Sequence, residues 1–327
     1  LHAVEKALVV PKKMKKRIKN VIAIGPASSA NLGSGFDCFA IALDNIFDTV
    51  KISLNGKSDV VVKNISQTKN IPVQPTENTG GLVALNIIKE FNLPNVTLGI
   101  KKGVPPGKGL GSSAATASAV AVGLNKMFSL NLSKHELLKF AASGEIASAG
   151  VAHSDNVAGS LFGGFVVVSS FPKINIATFS PPKNLHVCIG IPKINTPPKK
   201  TGLARKLLPK SVKFSDTITN VSNAAMMVAG FSKRDENLIG ASMHDSIVEP
   251  ARVSMTPNYK TIKEQVLKFG GLGMAISGAG PSVIVFLNTN QLVQNKVKKI
   301  IKDGFKSAGY NSSLLMTKIG KGARVIK

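Results

Sequence analysis

Pro105-Pro-Gly-Lys-Gly-Leu-Gly-Ser-Ser-Ala-Ala115 joins an alternating apolar segment to a run of small apolar residues. Upstream, Val96, Leu98 and Ile100 recur at the period of a strand. Downstream, residues 112–128 are rich in Ala and Val with Gly123 as the sole breaker, the pattern of a buried helix. Between them Gly107, Gly109 and Gly111 let the backbone turn its amides inward without side-chain clashes. A helix opening at Ser112 adds unpaired N–H groups and a positive dipole end, which together attract an anion. Ser112 and Ser113 supply hydroxyls suited to phosphate oxygens or a metal ion, and Lys108 supplies a point charge. The spacing is neither the Walker G-x-x-x-x-G-K-S/T nor the dinucleotide G-x-G-x-x-G. The segment alone therefore reads as a phosphate loop without saying whose phosphate, or as a flexible connection between strand and helix.

Working outward, a strand is expected from Ile18 to Ile24, closing at Gly25-Pro26, and another from Thr49 to Leu54. A helix is expected from Gly81 to Phe91, with Leu82, Leu85 and Ile88 on one face. Ser133-Lys-His-Glu136 is a capping box that starts a helix running towards Gly150. Gly164 to Phe171 reads as a strand, and Pro181-Pro182 marks the domain boundary. Beyond it the pattern predicts a strand at Leu185–Ile191, then a lysine-rich loop around Pro197-Pro198. Helices follow over 215–231, 235–246 and 257–269, strands at Met274–Ser277 and Val283–Leu287, a helix near 290–307 and a short last strand. This mixed order, with hairpin-like pairs, favours α+β over a regular doubly wound sheet. Residues 1–13 read as an extension outside the fold, 14–182 as one domain and 183–327 as a second.

The net charge of +25 raises nucleic acid as a partner. Against it, the lysines are scattered, Trp is absent and aromatics make up 5%, so surfaces for base stacking are scarce. Two cysteines, Cys38 and Cys188, make no disulfide framework, which points to a reducing cytoplasm. No apolar run is long enough to span a bilayer.

Two more motifs bracket the loop. Pro26-Ala-Ser-Ser-Ala-Asn-Leu-Gly-Ser-Gly-Phe-Asp37 reads as a turn-rich loop carrying an amide, Asn31, and a carboxylate, Asp37. Gly271-Leu-Gly-Met-Ala-Ile-Ser-Gly-Ala-Gly-Pro-Ser282 reads as strand, glycine turn and strand. Taken singly, the first is also an Asx turn and the second a tight hairpin. Arginine is scarce beside lysine here, which draws attention to Arg205 and Arg252, since a guanidinium grips a carboxylate bidentately.

The three motifs, in this order over residues 18–287, resemble those of the GHMP kinases. The first is similar to that of the homoserine kinases and lacks the Pro-Gly-Arg/Lys opening and Gly-Glu-His ending of mevalonate kinases and galactokinases. The resemblance implies a two-domain α+β fold, with a ribosomal protein S5 domain 2-like N-terminal domain and a ferredoxin-like C-terminal domain. It implies ATP and Mg²⁺ as cofactors, homoserine as phosphoryl acceptor, a role in threonine biosynthesis and a cytoplasmic homodimer. A GHMP kinase for another small alcohol, of mevalonate or shikimate type, stays open as the alternative, and a nucleic-acid-binding protein stands behind it.

The same resemblance assigns roles. Pro105, Pro106, Gly107, Lys108, Gly109, Leu110, Gly111, Ser112, Ser113 and Ala114 would wrap the ATP phosphates. Asn78 would reach the adenine or ribose, and Thr201 would join the nucleotide site. Ser113 and Glu145 would hold the metal. Asn31 and Asp37 would take the substrate ammonium, Arg205 and Arg252 its carboxylate, and His153 and Asn156 would face the acceptor. Asn156, Ser113 and Glu145 form the catalytic set. Asn156 cannot accept a proton at neutral pH, so the hydroxyl proton would leave without a strong protein base.

Overall fold

The computed structural model describes residues 18–56, 58–66, 68, 71–149, 154–170, 173–197 and 200–327. The chain first lays down β1 (Asn20–Asn31), β2 (Gly35–Leu54), β3 (Val61–Asn64), β4 (Val96–Lys101), β5 (Phe165–Ser169) and β6 (Asn175–Phe179). Interleaved with these are α1 (Thr79–Phe91), α2 (Ser112–Met127), α3 (Lys134–Ala149) and α4 (Asp155–Phe162). It then builds a second sheet from β7 (His186–Pro192), β8 (Gly273–Ile276), β9 (Val283–Leu287) and β10 (Ser312–Thr317). The accompanying helices are α5 (Lys200–Lys206), α6 (Phe214–Lys233), α7 (Glu236–Ala241), α8 (Val248–Arg252), α9 (Tyr259–Lys268) and α10 (Gln291–Ser307). A last strand, β11 (Arg324–Val325), returns to pair with β1 in the first sheet.

The first sheet runs β11-β1-β2-β4-β3, with β5 on β2 and β6 on β5. The second runs β10-β7-β9-β8, antiparallel throughout. Its order and its strand–helix sequence are those of a ferredoxin-like unit with added helices. One core lies between the first sheet and α1–α4, where Ala114, Ala117 and Ala121 of α2 are fully buried. Their small size lets α2 sit close on β1 and β2. A second core joins the two sheets, with Phe165 of β5 stacked on Phe231 of α6 at 4.0 Å between centroids. The cleft described below opens at this seam.

Most elements fall where the sequence put them. The capping box is closed in both directions: Glu136 N–H donates to Ser133 Oγ, and Ser133 N–H donates to Glu136 Oε2. Three expectations need correction. β1 does not close at Gly25-Pro26 but runs on to Asn31, and β2 begins at Gly35, so the first motif is a hairpin rather than a loop. Pro26 is tolerated because the register shifts between it and Ser28, where a missing N–H costs no ladder bond. Lys200–Lys206, read as a loop, is helical. The helix expected over 235–246 stops at Ala241, because Asp245 instead caps α8 through the N–H groups of Ile247, Val248 and Glu249.

Candidate active site

A cleft of about 610 Å³ lies between the glycine loop, the first motif and α5. At one end stands the loop. Gly107, Gly109 and Gly111 all take positive φ, at 71°, 76° and 60°. A Cβ on Gly109 would lie 2.2 Å from the Ser277 carbonyl oxygen, so the loop packs directly on the third motif. Ser277 Oγ donates to the Gly109 carbonyl at 2.7 Å and fixes that contact. α2 begins without a side-chain cap, so its first-turn N–H groups open towards the cleft.

Pro106, Gly107, Gly109, Leu110, Gly111, Ser112 and Ser113 line the cleft. Pro105, Lys108 and Ala114 do not. Lys108 Nζ turns away to the Ile194 carbonyl, so its ammonium does not point into the cradle; burial pushes its pKa down. Ser112 Oγ is also spent, donating to the Val104 carbonyl at 2.8 Å and closing the loop on itself. Ser113 behaves otherwise: its Oγ donates to Glu145 Oε2 at 2.9 Å, across from α3. Burial raises the Glu145 carboxyl to about 7. A hydroxyl and a carboxylate side by side form a hard oxygen set of the kind Mg²⁺ prefers, and a cation there would offset the buried charge. Asn78 caps α1, accepting from Gly81 N–H at 3.0 Å and donating to the Pro72 carbonyl at 2.7 Å. It lines the cleft with both ends of its amide engaged.

At the other end the charges gather. Arg205 Nη2 meets both oxygens of Asp37, at 2.9 and 2.6 Å. Asp37 therefore holds Arg205 directly, where the sequence reading kept the two apart as separate receptors. Arg252 is buried at the end of α8, and its Nε donates to the Ala204 carbonyl at 3.1 Å. Asn31 Nδ2 donates to the Gly278 carbonyl at 2.9 Å, and its Oδ1 accepts the Asp37 N–H at 3.3 Å. Back beside Gly111 of the loop, Asn156 Oδ1 accepts from Ser28 Oγ at 3.0 Å, which draws β1 to α4. Thr201 lines the cleft on α5. His153 lies outside the described residues.

The structure adds groups that sequence reasoning passed over. Lys102, the residue after β4, lines the cleft and pairs with Asp48, which is fully buried. Nothing marked Lys102 among 42 lysines and arginines. Asp48 carried a signal, being a carboxylate in the apolar run Ile46–Val50, where only a partnered acid is tolerated. Asp155 lines the cleft beside Asn156, and burial lifts its carboxyl to about 6. Phe36 lies under both arginines.

Lys200 is buried and donates to the Ala279 and Gly280 carbonyls, tying α5 to the third motif. Burial lowers its pKa from 10.5 to about 7. Between these values the unfolded chain holds a proton that the folded chain has released, so stability rises with pH across that window. Lys200→Met should remove this contribution. Urea unfolding at about pH 7 and about pH 10 would show wild type gaining on the variant at the higher pH; parallel pH slopes would refute the assignment.

An amide cradle at a helix mouth, seated on a ferredoxin-like unit and facing a charged pocket, defines a small-molecule kinase of the GHMP type, and the chain belongs to that family. The GHMP kinases N terminal domain matches residues 78–164 and the GHMP kinases C terminal domain matches residues 227–306. The chain is 37% identical over 308 residues to a homoserine kinase of Thermoplasma volcanium, spanning 93% of this chain and 96% of the relative. It is 39% identical over 300 residues to one of Methanocella arvoryzae, spanning 92% and 95%. The crystal structure of homoserine kinase from Cytophaga hutchinsonii superposes with a TM-score of 0.88 at 32% identity, over 96% of this chain and 99% of that one. Within the GHMP kinases, the chain is a member of the homoserine kinase family.

Proposed function

We propose that this chain transfers the γ-phosphoryl group of ATP to the side-chain hydroxyl of L-homoserine. The observation that carries the reading is the charge layout of a single cleft: amide donors at one end, and an acid with two guanidiniums at the other. An α-amino acid brings one ammonium and one carboxylate, and Asp37 with Arg205 and Arg252 is complementary to that pair. A sugar would leave those charges, the buried Arg252 above all, unmatched, and a simple hydroxy acid would leave Asp37 so.

In this reading the loop amides hold the nucleotide phosphates, and α2 presents its positive end to them. The charged end positions the acceptor hydroxyl facing the γ-phosphorus. The acceptor oxygen forms a bond to phosphorus as the bond from phosphorus to the ADP oxygen breaks, and the hydroxyl proton passes to an oxygen of the transferred phosphoryl group. Positioning and charge neutralisation supply most of the rate for such a step. Ser113 and Glu145 would hold Mg²⁺, which when bound neutralises phosphate charge. Asn156, with its amide oxygen held by Ser28, orients groups without taking a proton. The product feeds threonine biosynthesis. No described helix is long and apolar enough to cross a membrane. A cytoplasmic homodimer is part of this proposal and rests on the family.

The test is an ADP-release assay with homoserine, mevalonate, galactose and shikimate as acceptors. Homoserine should exceed each of the others by at least about a hundredfold in kcat/KM. Comparable rates on another acceptor would overturn the substrate assignment.

A further inference from the structure

We propose that Phe36 is a positioning residue for substrate recognition: its ring is the shared platform that holds the guanidiniums of Arg205 and Arg252 at one spacing. This rests on the reading of the two arginines as the carboxylate clamp.

The geometry is direct. Phe36 stands at the start of β2, next to Asp37, and lines the cleft. The Arg205 guanidinium carbon lies 5.5 Å from its ring centroid, and that of Arg252 lies 4.9 Å away. The arginines come from different helices, α5 and α8, which are tied where Arg252 Nε meets the Ala204 carbonyl; beyond that tie, the Phe36 ring is the group both guanidiniums lie on, and it sets how far apart their charged ends stand. Two cations brought together in a part-buried pocket repel: burial pushes the Arg252 pKa down, Arg205 adds to that push, and Asp37 opposes it. Asp37 relieves this on one side by pairing with Arg205. Arg252, which is more deeply buried, has its Nε on a backbone carbonyl.

An aromatic ring suits the remaining requirement better than a second acid. A carboxylate would occupy the N–H fork that must meet the substrate. A ring presents a negative face to the flat side of a guanidinium and leaves its N–H edges pointing elsewhere. The backbone adds precision: Asn31 takes the Asp37 N–H, so the hairpin that carries Phe36 is pinned one residue away. Phe36 thus converts the hairpin's position into the distance between two charges.

The test separates the carboxylate clamp from every other use of the pocket. Homoserine is compared with 3-aminopropan-1-ol, which has the same chain and amine but no carboxylate. In Phe36→Leu, which keeps apolar bulk and loses the ring, the ratio of kcat/KM for homoserine over 3-aminopropan-1-ol should fall roughly 5- to 30-fold. The loss should appear mainly in the homoserine KM, with the ATP KM unchanged. Phe36→Tyr, which keeps the ring, should restore the ratio to within about twofold. An unchanged ratio in Phe36→Leu, or an equal loss on both alcohols, overturns the proposal while leaving homoserine phosphorylation intact. A wild-type enzyme that prefers 3-aminopropan-1-ol, or ignores homoserine, overturns the substrate reading itself.

Discussion

Asp48→Ala should cost about 3–5 kcal/mol of folding stability, the range for stripping one partner from a buried ion pair. The size follows from what Asp48 does alone. It is fully buried and accepts from Lys102 Nζ, from Thr116 Oγ1 at 2.6 Å, and from the Gly103 and Val104 N–H groups at 2.9 and 3.0 Å. Alanine would leave two backbone donors and the Thr116 hydroxyl without their acceptor, and a buried ammonium without its counter-charge. Burial already lowers the Lys102 pKa, with Asp48 as the main opposing influence, so without Asp48 the amine would be driven towards its neutral form.

The same cluster holds the phosphate loop. Lys102 donates to the Ser112 carbonyl at 2.7 Å, and Asp48 anchors the loop's entry at Gly103. Loss of Asp48 should therefore also raise the ATP KM. Asp48→Asn should fall between, since its amide keeps one acceptor oxygen but turns donors towards an ammonium. Combining Asp48→Ala with Lys102→Met should recover much of the stability but not the ATP affinity, because the unpaired charge, not the lost bond, dominates the cost. Denaturant unfolding of the four proteins decides this. A single-mutant cost within about 1 kcal/mol would mean that the pair is solvated and contributes little.

How much of this was legible in the sequence depends on whether the signal was local. The glycine loop and α2 could be read because glycine spacing, an apolar strand and an Ala-rich run are neighbours in the chain. The capping box at Ser133 was legible for the same reason. The first motif was misread in form, as a loop, because Gly, Ser and Pro are turn residues by propensity. In the fold they are strand residues, since α2 and α4 press on β1 and only small side chains fit there, with Ser28, Ser29 and Ala30 fully buried. The pairing of Asp37 with Arg205 spans 168 residues, and no periodicity reports such a contact. Lys108 shows another contact that spacing does not report: a cation inside a phosphate motif, it rests here on the Ile194 carbonyl, 86 residues away.

Arg252→Ala should lower kcat/KM for homoserine by roughly 10²–10³-fold, or about 3–4 kcal/mol, with the ATP KM nearly unchanged. Arg205→Ala should cost less, and burial is the reason. The Arg205 side chain is 35% exposed and its partner Asp37 is 41% exposed, so water screens that charge. Arg252 is 4% exposed, and its attraction for a carboxylate acts through less solvent. Arg205 also has an internal competitor. A substrate carboxylate must draw it from Asp37 while the substrate ammonium replaces it there, so part of any gain at Arg205 is offset by the pair that opens. Arg252 faces no such exchange. Arg252→Lys should not rescue, because a point charge on a flexible stem cannot reproduce a fork whose Nε is fixed to Ala204 and whose face lies on Phe36. Steady-state kinetics on the three variants ranks them. If Arg205→Ala proved the more damaging, the carboxylate would sit beside Asp37's partner rather than at the buried guanidinium, and the acceptor would lie the other way round in the cleft.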